Sequence, residues 1–167
     1  MSTIAQHTPL MSNYNLSEEF GCNLFLKRED LQIVRSYKIR GAFNKMSSLS
    51  KADLEKGIVC ASAGNHAQGV AFACHKLGVN GTIYMPSTTP ILEGDTFDVS
   101  HGLAMEDAAR NNRTFVHPFD DPKTIEGQAT VGLEILEDFS ENIDYVFVAI
   151  GGGGLAAGLG SYFKQLS

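Results

Sequence analysis

The chain has 167 residues, 43% of them hydrophobic, and carries 13 Lys and Arg against 19 Asp and Glu for a net charge of −6. That length suits one sizeable core and is short for two complete domains. The acidic balance, with no basic stripe carrying interleaved aromatics, argues against a nucleic-acid partner; no apolar run is long enough to span a bilayer and no N-terminal signal pattern is present, so no membrane association and a cytoplasmic location are expected.

In chain order, the hydrophobic pattern predicts a strand near Leu24 to Lys27, a helix from Ser36 to Leu49, a strand from Ile58 to Ala61 and a helix from Asn65 to Leu77. A strand from Gly81 to Met85 follows, then a helix through Asp95 to Asn112, a short strand from Thr114 to Val116 and a helix about Ile125 to Phe139. The apolar run Tyr145 to Ile150 reads as a strand, and a last helix starts at Leu155. Such alternation defines an α/β fold with mostly parallel strands, in which ligands sit at the carboxyl ends of strands. No repeat or low-complexity tract interrupts it. Cys22, Cys60 and Cys74 are odd in number and lack C-x-x-C spacing, which reads as buried reduced thiols. His7, His66, His75, His101 and His117 have no paired metal spacing, so no metal site is expected.

Three segments carry chemistry. Gly151, Gly152, Gly153 and Gly154 lie between the predicted strand and the last helix, where unpaired N–H groups and the positive end of a helix dipole can hold a phosphate; the same layout also occurs as a plain structural corner. Lys38 stands where a helix begins, with Ser36 as the expected N-cap. The dipole there favours loss of its proton, and an unprotonated amine is what a Schiff base with an aldehyde requires, although a solvated lysine between Arg35 and Arg40 fits the same letters. Ser62 to His66 form a loop at a helix start, suited either to holding a carboxylate through N–H groups and a hydroxyl or to plain capping. Asp95 and Asp98 with Glu93 read as helix-start charges rather than as a cation site. Gly152-x-Gly154-x-x-Ala157 fits a relaxed dinucleotide fingerprint, and no P-loop motif is present.

Taken together, these segments resemble the fold type II family of pyridoxal 5′-phosphate enzymes (tryptophan synthase β-like), and most closely its threonine dehydratase branch. The resemblance starts at Thr8-Pro9-Leu10 and runs through Leu26 to Gln32, Ser36 to Gly41, Ala61 to Gly69, Met85 to Pro90 and Gly94 to Asp98. It ends with Pro118 to Pro122, Ile125 to Gln128 and the glycine run. It implies mostly parallel twisted sheets with flanking helices and a pyridoxal phosphate cofactor. Lys38 would hold that cofactor as a Schiff base and move protons at the substrate α-carbon, with Tyr37 beside it. Asn65 would bond to the cofactor's phenolic oxygen. Gly151 to Gly154 and the Leu155 backbone would cradle its phosphate, while Ser62, Ala63, Gly64 and His66 would take the carboxylate of a small amino-acid substrate.

The implied reaction is β-elimination of a hydroxy amino acid to an oxo acid and ammonia. In the related serine racemases a hydroxyl residue stands at the place of Ala63, and a methyl group has no proton to offer the second face of the α-carbon. Against the family, the chain joins Pro90 directly to Ile91, roughly twenty residues short, about one crossover unit. It also stops at Ser167 before the serine that meets the pyridine nitrogen and before any regulatory domain. It therefore reads as a partial catalytic domain, with residues 41–117 as the approximate small sub-domain and the remainder as the large one, and as a homo-oligomer when complete. The functional readings are a lyase acting on L-threonine and less well on L-serine, with isoleucine biosynthesis as its role, a serine racemase or dehydratase relative, and a catalytically silent partial chain.

Overall fold

A computed structural model describes residues 4–86 and 97–165. Near the N-terminus, β1 (Leu10–Ser12) and β2 (Phe25–Lys27) pair antiparallel in the register Leu10 to Lys27. Between them lies α1 (Tyr14–Phe20), which the apolar pattern does not announce but its ends do: the Asn13 side chain accepts from the Leu16 N–H at 3.0 Å, and Gly21 closes the helix at φ 63°. Because α1 buries no residue, Cys22 behind it is exposed, contrary to the expected burial; Cys60 and Cys74 are buried as expected.

The centre is a parallel three-stranded sheet in which β3 (Ile58–Ala61) lies between β4 (Gly81–Tyr84) and β5 (Thr114–Phe115). Every residue of β3 is buried, because both sheet faces are covered. Ile58 and Cys60 face one way, towards α2 (Lys38–Ser47) and α4 (Asn65–Leu77), and pack with Ala42, Phe43, Met46, Val70 and Ala73. Val59 and Ala61 face the other way, onto Ala104 and Ala108 of α5 (Phe97–Asn111). A short helix, α3 (Lys51–Lys56), is capped by Ser50, whose hydroxyl accepts from the Asp53 N–H at 3.1 Å. A third cluster joins Val131 and Ile135 of α6 (Pro122–Asp138) to Leu159 of α7 (Gly154–Lys164). The α/β class with a parallel sheet is therefore as expected. Glu93 and Asp95, and the junction after Pro90, lie outside the described residues. Among the described residues, no helix is long and apolar enough to cross a membrane.

Most element ends fall within one or two residues of those expected; two helix starts and one strand differ in ways that bear on the site. Helix α6 starts earlier, at Pro122, because the Asp121 carboxylate accepts from the N–H groups of Lys123 and Thr124 at 2.9 and 3.0 Å. Helix α2 starts at Lys38, not Ser36. Arg35 takes a positive φ of 58°, the turn at Tyr37 comes before the helix proper, and the buried Ser36 hydroxyl caps nothing. Tyr145 to Ile150 form no strand. Apolar, β-branched composition is not sufficient for one: a strand exists through ladder bonds to a neighbour. Among the described residues none lies beside this segment, and Tyr145 and Phe147 are 81% and 92% exposed.

Two close helix crossings set the geometry around α2. A Cβ on Gly127 would lie 2.5 Å from the Arg40 carbonyl oxygen and 2.6 Å from the Gly41 Cα, so α6 meets α2 backbone to backbone. A Cβ on Gly69 would lie 3.1 Å from the Lys38 carbonyl carbon, which brings α4 against the first turn of α2. In an open helix, Gly→Ala stabilises by about 0.5–1 kcal/mol, whereas added volume at a tight backbone contact costs about 1–3 kcal/mol. Gly127→Ala should therefore destabilise the chain by about 2 kcal/mol or more, while Gly102→Ala, with nothing near it on α5, should stabilise it slightly. Urea unfolding midpoints of the two variants, moving in opposite directions, check this.

Candidate active site

Lys38 is the first residue of α2 and is half-buried; its Nζ donates to the Pro118 carbonyl at 2.8 Å and sits 5.4 Å from the centre of the Tyr37 ring. Burial pushes the Lys38 pKa below its ordinary value. The depression expected from the helix dipole is thus present through desolvation. Burial also raises the Tyr37 phenol.

Strand β3 delivers the second segment. The Ser62 N–H continues the ladder to the Tyr84 carbonyl at 3.0 Å, and the Ser62 hydroxyl then accepts from the Gly64 N–H at 3.2 Å. Gly64 is the N-cap of α4 and has no side chain to cap with, so the first N–H groups of this helix are left for other acceptors. Ala63, Gly64 and Asn65 are exposed at this end. His66 is the exception, 3% exposed, with Nε2 2.9 Å from the Val116 carbonyl. A carbonyl only accepts, so Nε2 carries the hydrogen, and Nδ1 is an acceptor buried without a hydrogen-bond partner. Burial first, then the charges of Lys38 and His117, push the His66 pKa down to about 4, against the opposing pull of the Val116 bond. A neutral imidazole bound to a carbonyl is no cation for a carboxylate. What His66 offers such a group is its backbone N–H in the first turn of α4.

The third segment is the glycine run. Gly153 adopts φ 84° and caps α7, which starts at Gly154, again without a side-chain cap, so the first N–H groups of α7 are free to bind an anion. Phe119 closes one side of the run: a Cβ on Gly152 would collide with its ring, and a Cβ on Gly154 would come within 2.7 Å of its carbonyl oxygen. Gly151 is exposed, and Leu155 packs into the cluster between α6 and α7.

One stretch, Val116 to Phe119, thus gathers all three segments. Its carbonyls take the His66 ring and the Lys38 ammonium, and its Phe119 ring lies on the glycine run. Nothing in the letters of these four residues marks a role in the site. Pro118 to Pro122 is legible as part of the family resemblance, but acceptance by a backbone carbonyl leaves no mark on residue identity. The residues fit pyridoxal phosphate: a lysine amine kept by burial below its ordinary pKa, and a cradle of glycines at a helix start in which any Cβ at Gly152 would fill space already taken.

A parallel α/β sheet thus carries a half-buried lysine at one helix start and a glycine run at another. The chain belongs to the pyridoxal-phosphate dependent enzyme family, which matches residues 1–167. It is 51% identical to the L-threonine dehydratase biosynthetic IlvA of Halalkalibacterium halodurans over 184 aligned residues, which take in 100% of this chain and 44% of that protein. The aligned length exceeds the 167 residues of the chain, so the relative carries residues that this chain lacks. The processed form of threonine deaminase isoform 2 from Solanum lycopersicum superimposes with a TM-score of 0.92 at 43% identity, covering 98% of this chain and 49% of that one. Maize serine racemase does so at 0.87 and 31%, covering 97% and 53%. The chain spans less than half the length of the curated relative it matches.

Protonating His66 breaks no bond at Nε2 but places a charge in a dry site. Its pKa is about 4 in the fold and 6.5 ordinarily, so its contribution is fully present above pH 6.5 and is lost as pH falls towards 4. The total is on the order of 3 kcal/mol. Urea midpoints measured between pH 7 and 4.5 should fall less steeply in His66→Gln, whose amide can still donate to the Val116 carbonyl but does not titrate.

Proposed function

We propose that the protein carries out pyridoxal phosphate-dependent β-elimination of L-threonine, and less well of L-serine, to 2-oxobutanoate or pyruvate and ammonia, as a step of isoleucine biosynthesis. The observation that carries the reading is Lys38 Nζ, half-buried and bonded to the Pro118 carbonyl in the stretch that also packs on the glycine run. Identity of 51% to a threonine dehydratase supports the choice of substrate.

When bound, the cofactor supplies an electron sink for the pair left behind as the α C–H bond breaks. Lys38 Nζ would hold it and would take the proton from the substrate α-carbon. The N–H groups of Gly151 to Gly154 and of Leu155 would hold its phosphate, and the Asn65 amide would bond to its phenolic oxygen. Ser62, through its hydroxyl, and Ala63, Gly64 and His66, through their N–H groups, hold the substrate carboxylate. Ala63 leaves the second face of the α-carbon without a proton donor, which favours elimination over the racemisation run by the maize relative. In this reading residues 41–117 approximate the small sub-domain and the rest belongs to the large one. The enzyme is a cytoplasmic homo-oligomer.

A second reading, in which this stretch of chain binds cofactor without turnover, is favoured by the exposure of Tyr145, Phe147 and Ile150 next to the glycine run. A site open to water on one side loses the positioning on which rate depends. Borohydride reduction after incubation with pyridoxal phosphate should label Lys38, as read by peptide mass mapping; a label on another lysine rejects the assignment. Gly152→Val should weaken cofactor binding at least about tenfold, a larger effect than its lowering of the unfolding midpoint, since its side chain displaces Phe119 from the cradle. Oxo-acid release from L-threonine, compared between this chain and one extended to the length of its relatives, separates the two functional readings.

A further inference from the structure

We propose that His117 is a positioning residue for Lys38 and the glycine run: its Nδ1 accepts the N–H groups of Phe119 and Asp120 and thereby folds Pro118 and Phe119 into place. The Asp120 N–H lies 2.7 Å from Nδ1 and the Phe119 N–H 3.3 Å. This is the arrangement by which an Asn or Asp side chain bonds its own backbone two and three residues on, with an imidazole nitrogen replacing the oxygen.

What the turn presents is specific. Pro118 has no N–H, so its carbonyl is its one backbone polar group, and that carbonyl receives Lys38 Nζ at 2.8 Å. Phe119 carries the ring that lies against Gly152 and the backbone that lies against Gly154. The His117 ring is itself held edge-on by Phe119, with centroids 4.6 Å apart, by Phe115 at 5.9 Å and by His101 at 6.2 Å. One nitrogen lone pair therefore fixes both the acceptor of the lysine and one wall of the phosphate cradle.

The lone pair is available only while Nδ1 carries no proton. The groups that act on it are Asp120 and Asp121 from its own segment, Lys38 from α2, His66 from α4 and His101 from α5. Burial lowers the His117 pKa, with His101 and Lys38 adding to it against Asp120 and Asp121; the net direction is down. At neutral pH the turn is closed. Acid puts a hydrogen on the nitrogen that must face two N–H groups, and both bonds are lost.

The consequence for catalysis rests on Lys38 being the cofactor lysine, but the turn can be tested without cofactor. Amide hydrogen exchange at Phe119 and Asp120 and competitive acetylation of Lys38, with exposed Lys51 as internal reference, should be followed against pH in the unmodified chain, in His117→Asn and in His117→Phe. Protection at both amides is expected at pH 7 and should fall about tenfold or more in the unmodified chain on acidification, as a hydrogen bond of ordinary net strength is lost. His117→Asn, which keeps an acceptor that does not titrate, should hold its protection through the same range. His117→Phe should lack protection at every pH and show a changed Lys38 acetylation profile with Lys51 unchanged. Protection and Lys38 reactivity in His117→Phe equal to those of the unmodified chain would overturn the proposal. If neither variant folds, the acid titration of the unmodified chain decides: amide protection independent of pH overturns it. Borohydride labelling of Lys38 is a separate result, so failure of the cofactor reading is not confused with failure of the turn.

Discussion

Arg40 is a buried charge on which the rest of the arrangement depends. Its guanidinium forks onto Glu29 at 2.8 and 2.7 Å and onto Glu134 at 2.5 and 2.8 Å, with only 2% of its side chain exposed. Lys27 adds bonds to Glu134 at 2.9 Å and to the Thr8 carbonyl at 2.5 Å, while Gln32 exchanges two bonds with the Gln6 backbone. Burial alone would lower the Arg40 pKa, but the bonds to Glu29 and Glu134 outweigh it and hold it above its ordinary value. For Glu134, burial pulls upward, and Arg40 and Lys27 win in the other direction. Such a cluster is tolerated in a dry interior because every charge is paired, Arg40 reaching two carboxylates through a planar fork that a lysine cannot reproduce. It joins the N-terminal segment, the 3₁₀ turn Glu29–Leu31, α2 and α6, two residues beyond Lys38 on the same helix. The lysine is thus placed by a charge network that it does not itself touch.

Glycine then determines how near the neighbours come. Gly127 and Gly69 let α6 and α4 reach the α2 backbone on either side of the residues that carry function. At such distances the partner groups are main-chain atoms, which cannot move aside as a side chain would. Lys38 consequently meets fixed surroundings, and its bond to Pro118 is one backbone carbonyl answering one amine. Precision here comes from small residues and carbonyls rather than from a wall of large side chains.

Much of this was legible in the sequence. Helix α4 follows from the spacing of Val70, Ala73, Cys74 and Leu77 and from Gly78 at its end, where φ is 67°. The central strand follows from its apolar letters, and the position of Lys38 at a helix start from the pattern of Ile39, Phe43 and Met46. The Arg40 network was not legible, since its partners stand 11 and 94 residues away and an Arg beside a Lys reads as a solvated flank. His66 was singled out by its motif, yet its burial and its bond to Val116 depend on the return of the chain fifty residues later. His117 gave no signal because its partners are backbone N–H groups, present at nearly every position. Tyr145 to Ile150 mark the opposite failure: local preference was read correctly, but pairing is a property of two segments and cannot be read from one.

That segment has a consequence for handling the chain. Six residues free of proline and charge, with Tyr145, Phe147 and Ile150 turned to water, Val148 packed towards α6 and α7, and no ladder partner among the described residues, have the composition of a segment to which an extended peptide can add. Colloidal behaviour should then be governed by this short stretch rather than by the net negative charge of the whole. The chain's acidity acts over distances of a Debye length and weakens with added salt, whereas ladder formation at the exposed stretch does not. Salt, commonly added to keep proteins dispersed, would work here in the direction of self-association.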